Sequence, residues 1–277
     1  MSETAVDLGA YFRRIGYGGD GSPNLKTLQE LHRLHAQSIP FENLTSFAGG
    51  IVDLGLAPLQ EKLVQSRRGG YCFEQNTLLW SVLQQLGFEV SGLSARVQWG
   101  ASHGLRTPRG HMLLKIDLPE GTWLADVGFG GLTFTAPLQL DSDQEQRTPH
   151  EALRVRLSEG EYGIEALLQD EWVPLYAFDL QRQFSRDYDA PNWYTCTHPA
   201  SIFRTSLRLG RPVAGGERHA LLDNRYTHYV NGRAQEIRRI DSPRELQRLI
   251  ATAFDIDIPA TPGLQEKLAA LTVSASV

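Results

Sequence analysis

Cysteine is scarce in this chain: Cys72 and Cys196 are the only two in 277 residues. A pair so far apart makes no disulfide scaffold, and a reducing compartment is the simpler setting. No apolar run approaches the roughly 20 residues a membrane-spanning helix needs. The opening residues, Met1-Ser2-Glu3-Thr4-Ala5-Val6-Asp7, lack the basic start and apolar centre of a signal peptide. These absences together predict a cytoplasmic protein. Positive charge is also in deficit, with 27 Lys and Arg against 32 Asp and Glu. A formal net charge of −5 argues against nucleic acid as the main partner. Histidines and cysteines do not fall at ligand spacing, so no metal is expected. There is no internal repeat and no low-complexity linker, so the parts should pack together. With 41% hydrophobic and 21% charged residues the chain is ordinary globular material, long enough to bury a sizeable core in one large domain or two to three small ones.

Residues 1–88 read as helical. Asp7 precedes Leu8, Tyr11, Phe12 and Ile15, an amphipathic run that stops at Gly16. Ser22-Pro23-Asn24 signals a second start, followed by Leu25, Leu28, Leu31 and Leu34 on one face. Pro40 disfavours helix at Ile39 and should break it. A third helix is expected from Leu59 to Gln65, and a fourth after Cys72 with Leu78, Leu79, Val82, Leu83 and Leu86 closing at Gly87. From about Phe88 the period changes. Strands are expected over 90–99, 112–116, 122–127, 152–157, 163–168 and 172–178, with a hairpin turn at Pro119-Glu120-Gly121, which suggests a mostly antiparallel sheet or barrel. Strands over 202–209, 220–222, 226–230 and 235–240 follow, with turns at Gly215-Gly216 and Asn231-Gly232. Ser242-Pro243-Arg244-Glu245 fits a capping box, and a last short helix should start near Thr261.

The chain is organised around Arg67-Arg68-Gly69-Gly70-Tyr71-Cys72-Phe73-Glu74-Gln75-Asn76. A loop delivers a cysteine to a helix N-terminus, where unpaired N–H groups and the positive dipole end favour a thiolate. The alternative is a small buried residue at a helix start. A nucleophile needs a base, and the base an orienting group. His111 opens an apolar strand; Asp126 ends the next one, where it is costly to bury unless paired. With the turn centred on Glu120, the two come within cross-strand reach after a small bulge. Cys72 as nucleophile, His111 as base and Asp126 as orienter make a coherent triad. The 39 residues from Cys72 to His111 (111 − 72) exclude the papain spacing of about 130–150.

Arg68-Gly69-Gly70-Tyr71-Cys72-Phe73-Glu74-Gln75-Asn76 resembles the active-site motif of the arylamine N-acetyltransferases. Ile39-Pro40-Phe41-Glu42-Asn43-Leu44, Gly110-His111 and Asp126-Val127-Gly128-Phe129-Gly130-Gly131 resemble three further motifs, in order, over about residues 8–250. The resemblance implies an α+β fold: an N-terminal helical bundle (1–88), a central antiparallel β-barrel (89–195) and a C-terminal α/β lid (196–277), around a transglutaminase-like cysteine-protease core. It implies a ping-pong reaction in which acetyl-CoA acylates Cys72 and an arylamine, arylhydrazine or N-hydroxyarylamine takes the acetyl group, a role in xenobiotic metabolism. Backbone N–H groups at Cys72 and near Val97 would form an oxyanion hole. The resemblance points to Phe41, Trp99, Phe129 and Phe203 around acceptor and pantetheine. A flat aromatic amine wants such a slot, although Phe41 and Phe203 also suit plain core packing. Gly128, Gly130 and Gly131 would let backbone amides meet the CoA pyrophosphate, and His228 resembles a position near CoA.

Between Ser201 and Ile240 eight arginines stand against three carboxylates, a local balance of +5 (8 − 3) that suits CoA phosphates or solvated hairpin faces. Arg67 and Arg68 either favour the thiolate or pair with carboxylates such as Glu61. Cys196 has no base in view. The competing enzyme reading is a cysteine-triad amidase or transglutaminase-like acyl transferase with a non-CoA donor. The non-enzyme reading is a binding protein that keeps the fold. Partners are expected to be small molecules and CoA, with no nucleic acid and no membrane, and the protein a monomer or homodimer.

Overall fold

The first helix shows how local chemistry sets the boundaries. Asp7 accepts the Ala10 N–H and opens α1 (Leu8–Ile15), and Gly16, at φ 72°, closes it. The computed structural model of the chain describes residues 5–101 and 106–273; the first four residues of the acidic start lie outside the described residues. Asn24 caps α2 (Leu25–Ser38) through the Thr27 N–H, and Ile39, extended ahead of Pro40, ends it. β1 (Phe41–Glu42) and α3 (Leu44–Phe47) follow. The helix expected over 59–65 starts earlier, as α4 (Leu56–Leu59), and widens into a π-helical stretch over Gln60–Gln65. α5 (Cys72–Gln85) begins at the cysteine itself.

An eight-stranded antiparallel sheet comes next: β2 (Glu89–Val97), β3 (Arg109–Leu118), β4 (Gly121–Ala125), β5 (Leu138–Gln139), β6 (Gln146–Arg147), β7 (Ala152–Ser158), β8 (Glu161–Leu168) and β9 (Glu171–Phe178). Their spatial order is β5-β4-β3-β2-β9-β8-β7-β6. The two edges nearly meet. The Gln146 side chain accepts the Gln139 N–H at 2.7 Å and donates to its carbonyl at 2.9 Å, so the sheet approaches a closed barrel. Leu93, Leu113, Leu124, Phe134, Ile164, Leu175 and Tyr176 fill the interior. Each such side chain contributes about 1.5–3 kcal/mol by leaving water. The other face of β2, β3 and β4 packs on α1, α2 and α5 through Val90, Met112, Leu114, Ile116 and Ala125.

α6 (Asp189–Thr197) and α7 (Ile202–Thr205) lead into β10 (Arg208–Val213), β11 (Glu217–Leu222), β12 (Arg225–Val230) and β13 (Arg233–Arg239), then α8 (Pro243–Ala253) and α9 (Leu264–Thr272). The strand expected from residue 202 is instead a helical turn up to 205: Ser201 Oγ accepts the Phe203 N–H at 3.2 Å and caps it. Pro243 takes the first helical position of α8 as expected, but Ser242 makes no side-chain cap bond and Glu245 pairs with Arg238. β1 lies on the edge of the C-terminal sheet, Phe41 opposite Gly210 and Glu42 opposite Leu209. Leu44 and Phe47 join Leu207, Leu249 and Phe254 in the third core. A segment from the first fifty residues thus completes the last part of the molecule.

Candidate active site

Tyr71, extended at φ −95° and ψ −174°, delivers Cys72 as the first residue of α5. Glu74 Oε2 accepts the Tyr71 N–H at 3.0 Å and closes that turn. Behind it stands a buried set of charges. Arg68 Nη2 donates to Glu42 Oε1 at 2.6 Å, Lys62 donates to Glu74 Oε1 at 2.5 Å, and Glu42 Oε2 accepts the Leu44 N–H at 2.5 Å. Glu42 and Arg68, from two of the motifs, therefore serve each other. Arg68 does not pair with Glu61, whose carboxylate takes the Ser66 hydroxyl, and Arg67 pairs with Asp255. Burial raises Glu74, whereas Arg68 and then Lys62 overcome burial and hold Glu42 low.

Cys72 Sγ lies 4.0 Å from the Gly110 carbonyl at the start of β3. The next residue is His111, whose Nε2 lies 2.7 Å from Asp126 Oδ2. A carboxylate only accepts, so Nε2 carries the proton and Nδ1 is left free of Asp126. Burial alone would lower the imidazole. The Asp126 charge, then the Cys72 sulfur and the hydrogen bonds to both, outweigh it and raise His111 to about 10. The β3–β4 hairpin achieves this without a bulge: Leu114 faces Ala125, which sets Asp126 level with Leu113 and diagonal to His111 on one face. The irregularity in β3 lies on its other side, opposite Ala95 and Arg96.

Asp126 is fully buried and accepts four bonds. Oδ2 takes His111 and the Tyr176 hydroxyl at 3.0 Å; Oδ1 takes Asn76 Nδ2 at 3.0 Å and the Gly128 N–H at 2.9 Å. Burial would raise its carboxyl, yet His111 and these donors hold it low. Asn76, one turn beyond Cys72 on α5, also donates to the Met112 carbonyl at 2.8 Å and accepts the Val127 N–H at 3.0 Å. It clamps the cysteine helix to β3 and to the loop after β4. On the opposite side, His32 Nε2 accepts the Asp126 N–H at 3.1 Å. His35, also on α2, accepts from the Tyr11 hydroxyl and donates to Gln75. Sequence reasoning assigned no role to Asn76, Tyr176 or His32. Asn76 was within sight, since position i+4 of a helix shares the face of position i. Tyr176 and His32 come from distant elements and carry no local signal.

Phe129 meets His111 edge-on at 5.1 Å between ring centres and Trp99 at 6.0 Å. Trp99 is 45% exposed, so a line of rings runs from the surface to the imidazole. Phe41 and Phe203 pack at 6.1 Å, and Phe203 meets Tyr71 at 5.4 Å. Val97 ends β2 opposite Tyr176. The glycines divide. A Cβ on Gly128 would stand 2.5 Å from Cys72 Cα, so glycine there permits close packing of the Asp126 loop on the cysteine, and its N–H is already bound to Asp126. Gly130, at φ 78°, turns between Phe41 and Gly131, which borders Trp99. His228 sits on β12, stacked on His219 at 5.0 Å and bonded to Glu217 at 2.8 Å, two strands from β10. Cys196 is buried and free, its sulfur near the Trp193 carbonyl.

A cysteine, histidine and aspartate linked in this way at a helix N-terminus suit acyl transfer, and comparison with known proteins places the chain among the acetyltransferases. A family model described as N-acetyltransferase matches residues 24–262. The chain is 39% identical over 258 residues to an arylamine N-acetyltransferase of Mycolicibacterium smegmatis, covering 92% of this chain and 93% of that one. It is 36% identical over 251 residues to the arylamine N-acetyltransferase / N-hydroxyarylamine O-acetyltransferase of Salmonella typhimurium, covering 91% and 89%. The solved structure of the Mycobacterium marinum arylamine N-acetyltransferase in complex with CoA superposes with a TM-score of 0.90 at 34% identity, over 96% of this chain and 99% of that one. The chain belongs to the arylamine N-acetyltransferase family and is an acetyltransferase.

Proposed function

We propose that the enzyme transfers acetyl in two half-reactions through Cys72, with acetyl-CoA as donor and an arylamine, arylhydrazine or N-hydroxyarylamine as acceptor. The observation that carries this reading is the 2.7 Å bond from His111 to Asp126, in a residue next to the Gly110 carbonyl that the Cys72 sulfur approaches at 4.0 Å. A protonated His111 beside Sγ favours a thiolate–imidazolium pair. The thiolate attacks the thioester carbonyl and the carbon–sulfur bond to CoA breaks, with the CoA sulfur taking the imidazolium proton. An amine then attacks acetyl-Cys72. His111, now neutral, takes the amine proton, and the Cys72 sulfur leaves as thiolate beside the restored imidazolium.

The Cys72 N–H, in the first turn of α5, has no intrahelical acceptor and serves as an oxyanion donor, with a second N–H near Val97. Trp99 and Phe129 form the acceptor slot, and Phe41 and Phe203 line its far wall. Gly130 and Gly131 supply amides to the donor pyrophosphate, with His228 on β12 two strands beyond the β10 that Gly130 packs against; Gly128 is kept for packing. The CoA bound to the M. marinum relative supports the donor, and the relatives from M. smegmatis and S. typhimurium support arylamine and N-hydroxyarylamine acceptors. The three-segment division at 88 and 195 belongs to the same proposal, with β1 and α3 seated on the third core. The two free thiols suit work in the reducing cytoplasm.

Initial rates with acetyl-CoA and aminosalicylate test the reading. Double-reciprocal plots at several fixed amine concentrations should be parallel, and Cys72→Ala should abolish turnover. Intersecting lines, or turnover with a glutamine amide donor in place of acetyl-CoA, would sink it.

A further inference from the structure

Four separate elements bring three guanidinium groups to one carboxylate. Arg14 comes from α1, Arg67 from the loop before α5, Arg211 from β10, and Asp255 from just beyond α8. Arg67 pairs directly with Asp255. Arg14 Nη1 and Arg211 Nη2 stand 3.8 Å and 4.0 Å from the same carboxylate, within Coulomb range and beyond hydrogen-bonding distance. Arg14 is the decisive member. Its side chain is only 8% exposed, its Nε donates to the Leu63 carbonyl, and its buried Nη2 has no hydrogen-bond partner among the described residues. A buried guanidinium N–H without an acceptor is costly and calls for one.

The charges do not cancel. Three guanidiniums face Asp255 and, acting on Arg14, Asp257, which leaves +1 (3 − 2). The neighbouring imidazoles are His35 beside Arg14 and His219 beside Arg211, and both are held low by burial. Burial and mutual repulsion lower Arg14 and Arg211 as well. The backbone shows the same local tension. Arg67 at φ 47° and Asp255 at φ 57° both occupy the left-handed region, which non-glycine residues keep only where their surroundings hold them. Arg67 is 56% exposed and Asp255 29%, so the cluster opens to solvent at Arg67 and is closed at Arg14.

We propose that this cluster is a binding site for a small oxyanion of the phosphate class, held between the Arg14 and Arg211 guanidiniums with Arg67 as the outer wall. The planar N–H fork of arginine matches phosphate oxygens. An anion there gives Arg14 Nη2 its acceptor and offsets the surplus charge. Free phosphate and a phosphate of the CoA donor share this chemistry. The second source rests on the donor reading above; the first does not.

The test uses the full chain. Inorganic phosphate is titrated against chloride at matched ionic strength, with binding read by calorimetry and by thermal midpoint. Saturable binding in the wild type, about tenfold weaker in Arg211→Gln and Arg14→Lys, is the expected result. Arg67→Gln, at an exposed position, preserves the fold and should also weaken binding. No phosphate-specific effect in the wild type, or an unchanged affinity in Arg67→Gln and Arg211→Gln, overturns the proposal. CoA against 3′-dephospho-CoA then separates the sources. If the donor supplies the anion, the wild type prefers CoA, Arg211→Gln loses the preference, and phosphate competes with CoA. If the free anion is the ligand, the two nucleotides bind alike and phosphate binds equally well beside CoA. The phosphate arm needs no acetyl transfer, so it stands or fails apart from the catalytic reading.

Discussion

Asp126 is where single residues decide most. A buried carboxylate with four donors is held in one position and one charge state, and through it His111 is aimed at the sulfur. Removing donors one at a time should show graded effects. Tyr176→Phe deletes one bond to Oδ2 and keeps the ring against His111, so kcat/KM should fall about tenfold with the fold intact, the usual worth of one bond to a charged group. Asn76→Ala removes bonds to Met112, Asp126 and Val127 together. It should lower kcat/KM about a hundredfold or more and slow alkylation of Cys72 by iodoacetamide at mildly acidic pH. Equal alkylation rates in Asn76→Ala and wild type would show that the clamp does not position the thiol.

At the scale of elements, α2 carries an acid liability. Burial pushes His32 down to about 3 and His35 down to about 4, so both are neutral in the folded protein. Below the ordinary value near 6.5 the unfolded chain takes up protons that the folded chain refuses. The stability these groups contribute is therefore whole above pH 6.5 and is lost as pH falls toward 4 and then 3. Each pH unit costs about 1.4 kcal/mol per histidine, so urea midpoints should drop steeply between about pH 6.5 and 4.5 and flatten in a variant with both histidines replaced by glutamine. His111 has the opposite sign: raised to about 10, it contributes fully below 6.5 and loses its contribution as pH climbs toward 10. The loop after β4 carries a steric demand instead. Gly128→Ala sets a methyl 2.5 Å from Cys72 Cα, so it should cost about 1–3 kcal/mol and most of the activity.

Much at this scale was legible in the residues. α1 runs from its Asp7 cap to Gly16, α2 from Asn24 to the break at Ile39-Pro40, and the β3–β4 hairpin turns where Pro119-Glu120-Gly121 placed it, because caps, prolines and two-residue alternation act locally. The turn at 202–205 was misread as strand because Ile202 and Phe203 favour strands and the Ser201 cap outweighed them. Cys72, His111 and Asp126 could be read from a helix start and one hairpin. Tyr176 could not, since it reaches Asp126 only because β9 pairs with β2 across a long sequence gap.

The whole molecule is tied by segments that leave their neighbours. Asn43 donates to the Phe203 and Ser206 carbonyls and accepts the Arg208 N–H, while β1 and α3 sit on the C-terminal sheet and core. The first and last parts therefore cannot unfold independently without exposing Leu44 and Phe47. Calorimetry should show one cooperative transition, and a chain truncated after residue 207 should lose it. Asn43→Ala, which removes the side-chain partner of three half-buried backbone groups, should destabilise the whole by about 1–3 kcal/mol. Two resolved transitions in the intact chain would contradict this account of its unity.

The central claim is that acetyl rests on Cys72 between donor and acceptor. Intact-protein mass after brief mixing with acetyl-CoA, without amine, tests it most directly, with Cys72→Ala alongside. The expected result is one added acetyl group, absent in the variant and discharged by aminosalicylate. An unmodified protein whose thiol still alkylates rapidly, or an adduct that persists in Cys72→Ala, would contradict it.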